Sequence, residues 1–143
     1  MSEISSLLPH RPPFLFVDEI VEICEKSIHA RRTVRANEPQ FEGHYPGRPI
    51  MPGVLLCEAA LQTGCLYLAK SSDEAQPRGT PVVTRMNDVK FRTMVVPGDV
   101  LDIHVEHERS LMSAHFMKAK IMVKGKRVMS LSFAVTMAPE EKE

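Results

Sequence analysis

The sequence carries no surplus of either charge: among its 143 residues, eighteen Lys and Arg face eighteen Asp and Glu, for a formal net charge of zero. A chain without a global positive field cannot gather nucleic acid or an anionic membrane from a distance, so any anionic partner must be recognised locally. Cysteine is scarce as well. Cys24, Cys57 and Cys65 cannot all pair within one chain, and the latter two lie in an apolar stretch without metal-type spacing. They read as reduced thiols of a cytoplasmic protein. The opening Met1-Ser2-Glu3-Ile4-Ser5 lacks a basic segment leading into an apolar one, and no apolar run approaches a bilayer span. Neither secretion nor membrane insertion is expected. There is no internal repeat, Gly-rich phosphate loop, nucleophile elbow or dinucleotide fingerprint. Six histidines come without a spaced cysteine or carboxylate set. No metal is therefore expected, and His104 and His107, three apart on an expected strand, point to opposite faces.

What is present is globular. Hydrophobic residues make up 43% and charged residues 25% of the chain, the balance of a folded domain. Its length suits one domain, 1–143, with a core over about 7–137 and a frayed tail at Glu140–Glu143. Leu15 to Cys24 and Ile28 to Val34 read as strands joined by a turn at Glu25-Lys26. Asn37 to Gly53 is a long irregular stretch holding three of the seven glycines and four prolines. Irregular segments of that length in a small domain usually bind or catalyse.

Pro52 suits a helix start, and Val54 to about Lys70 is helical in composition, apolar on nearly every face and interrupted only by Glu58, Gln62 and Thr63. Ser71 to Gly79 reads as a loop. Pro81 to Met86, Val89 to Val96, Leu101 to Glu106, Met117 to Val123 and Met129 to Val135 read as strands, with turns at Pro97-Gly98-Asp99 and Lys124-Gly125-Lys126. About seven strands and one buried helix predict an α+β fold, a curved antiparallel sheet wrapped around the helix.

Glu58 is an isolated carboxylate on that helix. Buried, it would hold its proton more tightly and act as an acid near neutrality; exposed or paired with an arginine, it would be structural. Gln62, one turn on, can hold Glu58 or a water, and with Gly53 is a candidate oxyanion or substrate contact. His44 lies just before the helix, whose start at Gly53 offers free N–H groups. Base, acid and oxyanion donor suit proton abstraction next to a carbonyl, although a loop histidine is also a common surface residue. Cys57 reads as a core thiol rather than a nucleophile. Lys118, Lys120, Lys124, Lys126 and Arg127 form a basic stretch without an acidic residue, either a solvated hairpin or a patch for an anionic partner.

The run Gly43-His44-Tyr45-Pro46-Gly47-Arg48-Pro49-Ile50-Met51-Pro52-Gly53-Val54-Leu55, followed by Glu58 and Gln62, closely resembles the active-site segment of the FabZ-type (3R)-hydroxyacyl-acyl-carrier-protein dehydratases. Leu8-Pro9-His10-Arg11-Pro12-Pro13-Phe14-Leu15-Phe16-Val17-Asp18, Lys90-Phe91-Arg92 and Val96-Pro97-Gly98-Asp99 resemble other segments of that family in the same order. Tyr45 stands where Phe is commoner, Arg109-Ser110-Leu111-Met112-Ser113 lacks the family's Arg-Arg-Gly turn, and Ser130 replaces a frequent Glu.

The resemblance implies a hotdog fold and edge-to-edge dimers, usually assembled as a trimer of dimers. It implies His44 and Glu58 as the catalytic pair, supplied by different subunits, with Gly53 as donor to the thioester oxygen. The implied reaction is dehydration of a (3R)-3-hydroxyacyl thioester in fatty-acid biosynthesis. The substrate would be carried on the phosphopantetheine of an acyl carrier protein docked by the basic residues, and no cofactor or metal is implied. A hotdog thioesterase and a non-catalytic acyl-thioester binding protein are the alternative expectations.

Overall fold

The computed structural model describes residues 3–71 and 79–139. The loop expected at Ser71 to Gly79 falls, between its end residues, outside the described residues, as does the expected frayed tail. A short helix α1 (Glu3–Leu7) precedes strands β1 (Glu19–Ile23) and β2 (Ser27–Thr33). A 3-10 turn (Pro39–Glu42) leads to the long helix α2 (Gly53–Ser71). Four strands follow: β3 (Gly79–Phe91), β4 (Val100–Leu111), β5 (Ala114–Val123) and β6 (Lys126–Pro139). All pair antiparallel in one six-stranded sheet of order β1-β2-β4-β5-β6-β3.

Alternation decides which face of the sheet meets the helix. Leu101, Ile103 and Val105 of β4, with Met117, Ala119 and Ile121 of β5, are buried, while their neighbours of opposite parity turn outward. From Leu56 to Leu68 every residue of α2 except Glu58 is buried. An all-round apolar helix of this kind is stable only when enclosed. Gly64 permits the closest approach, because a Cβ there would stand 2.7 Å from Phe133 Cζ and 3.3 Å from Met117 Sδ. Thr63, also buried, satisfies its hydroxyl by donating to the Ala59 carbonyl at 2.8 Å.

Two expectations change. The sheet has six strands rather than about seven, because the two runs expected at Pro81 to Met86 and Val89 to Val96 are one bulged strand ending at Phe91. Register shifts fall between Val83 and Arg85 and between Asn87 and Lys90, and Asp88 adopts φ 53°, so the strand bends without ending. Beyond it, Val95 is buried and its carbonyl accepts the Met51 N–H at 2.7 Å, tying that segment to the helix entry instead of the sheet. Strand β1 starts at Glu19, not Leu15. The backbone at Phe14 and Phe16 bonds to the Gln62 side chain. Those groups are thereby withdrawn from a ladder.

The expected turns are present. Lys124 and Gly125 both take positive φ, 51° and 78°, as a tight hairpin requires. Gly98 has φ 100° and donates to the Val34 carbonyl at 2.8 Å.

Candidate active site

Helix α2 begins where proline leaves it little choice. Pro52 cannot donate, its carbonyl accepts from Leu56 at 3.2 Å, and the N–H groups of Gly53 and Val54 have no acceptor among the described residues. These two amides are the free donors that the helix start can offer to an anionic oxygen. A Cβ at Gly53 would lie 2.9 Å from Phe91 Cε1 and Cζ, so glycine is what lets the end of β3 close over the helix entry.

His44 follows the 3-10 turn, its own N–H donating to the Gln40 carbonyl at 3.1 Å. Its ring Nδ1 lies 2.8 Å from the Ile50 carbonyl oxygen. A carbonyl can only accept, so Nδ1 carries the proton and Nε2 keeps a lone pair, the tautomer of a general base. The Tyr45 ring lies 4.4 Å away by centroids, and Tyr45 holds φ 55° while its carbonyl accepts from Arg48 at 2.7 Å.

Glu58 lies on the second turn of α2 with 23% of its side chain accessible, so a single chain does not bury it as the desolvation argument required. Gln62 Nε2 donates to Glu58 Oε2 at 3.0 Å and to the Phe14 carbonyl at 3.0 Å, while Gln62 Oε1 accepts the Phe16 N–H at 2.8 Å. Gln62 is 1% exposed and both of its N–H groups and its carbonyl are engaged, so it orients Glu58 and has no N–H left for a substrate. Among the described residues no arginine pairs with Glu58. His10 approaches it instead, with Nε2 3.8 Å from Glu58 Oε2 and a buried Nδ1 that has no hydrogen-bond partner among the described residues. In the sequence His10 is marked only by its place in a proline-rich stretch, Leu8 to Pro13, that fits no strand pattern.

His44 and Glu58 make neither an ion pair nor a hydrogen bond with each other in one chain. Cys57 stays inert: burial pushes its thiol up, and burial pushes Cys65 further, to about 12. Among the described residues no three His, Cys, Asp or Glu side chains gather in a metal-holding group, and no helix is long and apolar enough to cross a membrane. His104 stacks on His29 at 4.2 Å and His107 on Tyr67 of α2 at 5.5 Å, on opposite sides of the sheet as their spacing predicts.

The basic residues divide. Lys118, Lys120 and Arg127 line a groove of about 730 Å³ on the sheet face turned from α2, joined there by Lys90. Cross-strand pairing sets Lys90, Ser130, Lys120, His104 and His29 in one row. Lys118 is paired with Glu108 at 3.4 Å, and Glu22, Asp88 and Glu106 share the groove, so this face is mixed in charge. Lys124 and Lys126 sit apart, flanking Gly125 at the hairpin tip. Neither His44 nor Glu58 lines this groove.

The FabA-like domain family matches residues 8–132, which include the helix entry, His10, His44, Glu58 and Gln62. The chain belongs to that family. It is 42% identical over 126 residues to the 3-hydroxyacyl-[acyl-carrier-protein] dehydratase FabZ of Clostridium perfringens (strain SM101 / Type A), covering 88% of this chain and 89% of that protein. It is 39% identical over 143 residues to the FabZ of Geobacter metallireducens, covering 99% and 95%. Identity of this extent places the chain with the FabZ-type members. Among solved structures, the dehydratase heterocomplex ApeI:P from Xenorhabdus doucetiae superposes with TM-score 0.79 at 15% identity, over 98% of this chain and 93% of that one. A hypothetical thioesterase with coenzyme A from Streptococcus pneumoniae TIGR4 gives 0.66 at 15%, over 87% and 88%. At that identity the likeness concerns the fold alone, which is the hotdog arrangement of one helix in a curved antiparallel sheet.

Proposed function

We propose that the chain dehydrates (3R)-3-hydroxyacyl-[acyl-carrier-protein] to the trans-2-enoyl thioester in fatty-acid biosynthesis, as a hydro-lyase. The observation that carries this reading is the fixed tautomer of His44: Nδ1 donates to the Ile50 carbonyl and Nε2 is free to accept a proton. Nε2 takes the proton from C2, the electron pair moves onto the thioester oxygen, and the Gly53 N–H steadies that oxygen. As the C3–O bond breaks, Glu58 protonates the departing hydroxyl and water leaves. Gln62 occupies Glu58 Oε2, so Oε1 is the oxygen that delivers the proton. His10 flanks the same carboxylate. The thioester already acidifies C2, so the chemistry asks for no resident cofactor.

His44 and Glu58 act across a dimer. Strand β3 is one edge of the sheet, and it exposes Val82, Val83, Met86, Val89 and Phe91. A long apolar edge of this kind invites a second copy. Phe91, at the end of that edge, packs on Gly53, so pairing along β3 brings the second chain to the helix entry. A trimer of such dimers is the assembly proposed, in the cytoplasm. Lys118, Lys120, Lys124, Lys126 and Arg127 are proposed to dock the carrier protein, with Lys90 extending their row.

Incubation with a 3-hydroxyacyl carrier thioester followed by mass analysis tests the reaction. Loss of one water is expected, and His44→Ala and Glu58→Gln should each lower turnover by about two orders of magnitude. Release of free acid would instead identify a thioesterase, which needs no His44, and unchanged thioester a binding protein.

A further inference from the structure

The β4–β5 hairpin holds a second cluster of chemistry-bearing side chains. Tyr67, which touches it, lies nine residues along α2 from Glu58, about 13 Å of helix. Ser110 and His115 are direct partners across the hairpin. His107 precedes Ser110 by three residues, a spacing that sends two side chains to opposite faces of a regular strand. Here the register shifts between His107 and Arg109, and a bulge supplies the extra residue that returns both to one face. The outcome is a triangle of donor atoms. His107 Nε2 lies 3.3 Å from His115 Nδ1, and Ser110 Oγ lies 3.0 Å from the first and 2.9 Å from the second. Tyr67 stacks on the His107 ring at 5.5 Å and 19°, and its hydroxyl donates to the Glu25 carbonyl. The helix therefore fixes the plane in which that imidazole points.

We propose that His107, His115 and Ser110 form a three-point site for one divalent transition-metal ion, of which Zn²⁺ is the representative, with water completing the coordination. Ligand atoms of a tetrahedral zinc ion with bonds of about 2.1 Å stand about 3.4 Å apart. The two imidazole nitrogens already hold that separation. The Ser110 hydroxyl, on an exposed residue, needs to recede by roughly 0.4 Å to match the same geometry. Two nitrogen ligands favour Zn²⁺, Ni²⁺ or Cu²⁺ over the oxygen-seeking Mg²⁺ and Ca²⁺. Burial, aided by the Lys26 charge at His107 and by His107 at His115, keeps both imidazoles below their usual proton affinity, which is the ligating form. The Lys26 charge also opposes a dication, so this open site is expected to bind more weakly than a closed four-ligand one. Its third donor is a hydroxyl, which sets it outside clusters built only of histidine, cysteine and carboxylate. An ion held there ties the two strands of the hairpin together beneath α2 and stabilises the fold.

The test titrates the full chain, without a histidine tag, with ZnCl₂ by calorimetry. One saturable site per chain is expected. His107→Asn and His115→Asn should each weaken it by roughly tenfold to hundredfold, and Ser110→Ala by less. His29→Asn, which breaks the other histidine pair on the opposite face, should leave it unchanged. Imidazole ¹⁵N shifts of the unsubstituted chain, with and without Zn²⁺, identify the ligating rings even where a variant does not fold. Binding that survives in the His107→Asn/His115→Asn double variant, or shifts at His29 and His104 instead, overturns the assignment. The absence of saturable binding does so too, leaving a hydrogen-bonded triangle only.

Discussion

Replacing Gln62 with leucine removes three hydrogen bonds while keeping the side-chain volume nearly constant, so the result reads polar pairing rather than cavity formation. The Phe16 N–H, on a residue 2% exposed, loses its acceptor in a place water does not reach, at a cost of about 1–3 kcal/mol. Phe14 is 49% exposed, and its carbonyl can turn to solvent for about 0.5–1 kcal/mol. Leucine is easier to bury than an amide, which offsets about 1 kcal/mol. The net expectation is a loss of about 2 kcal/mol, or about 4–8 °C in Tm for a chain of this length. Urea unfolding at one fixed protein concentration measures it, because the proposed dimer would make the midpoint concentration-dependent.

The same substitution frees Glu58 Oε2 from its donor, and kcat for dehydration should fall about tenfold with KM nearly unchanged. Gln62→Glu keeps an acceptor for Phe16 but sets a second acceptor against the Phe14 carbonyl and Glu58 at a buried position. It should recover neither the stability nor the turnover. A Gln62→Leu chain as stable as the parent would refute the account of how residues 14–16 are held. One that is destabilised yet fully active would refute the orientation of Glu58.

Other outcomes follow from the same geometry. Arg32, 4% exposed, pairs with Glu38, donates to the Leu15 carbonyl at 3.0 Å and stacks over Phe16 at 5.0 Å, so Arg32→Met strands a nearly buried carboxylate. Urea unfolding should register a loss of about 3 kcal/mol, the low end for such a pair, since Glu38 keeps the Arg35 N–H and Gln40 Nε2, and Arg32→Met/Glu38→Gln should regain part of it. Burial first, then nearby positive charge, holds His104, His107 and His115 below the usual 6.5. The folded chain therefore binds fewer protons than the unfolded one below that pH, and stability falls as pH drops from 7 through 6.5 toward the lowered values. Urea midpoints taken in chelator across that window should slope less in a chain with all three changed to glutamine; an equal slope would remove them as the cause. On the proposed shared-site dimer, coexpressed His44→Ala and Glu58→Gln chains should restore about one quarter of the sites, because half of randomly formed dimers would be mixed and each mixed dimer would have one intact site. Verified mixed dimers without recovered activity would show that each chain builds its own site.

The enclosure of α2 was legible in the sequence, because a helix apolar on every side has no stable place except inside other structure. The period-two runs likewise announced β4, β5 and β6, and turn chemistry announced the bends at Gly98 and Gly125. His44 and Glu58 stood out because their residue types conflicted with their surroundings, a proline-rich loop and an apolar helix. What the sequence could not express were contacts between distant segments. The role of Gln62 depends on Phe14 and Phe16, more than forty positions away, bonding to a side chain instead of a neighbouring strand. His10 reaches Glu58 only once that segment is pinned. His107 and Ser110 share a face only because of a bulge, which alternation along one strand cannot foresee: the extra residue is defined by the partner strand it fails to pair with. Local periodicity fixes where each side chain points within its own element, and tertiary pairing decides which side chains meet.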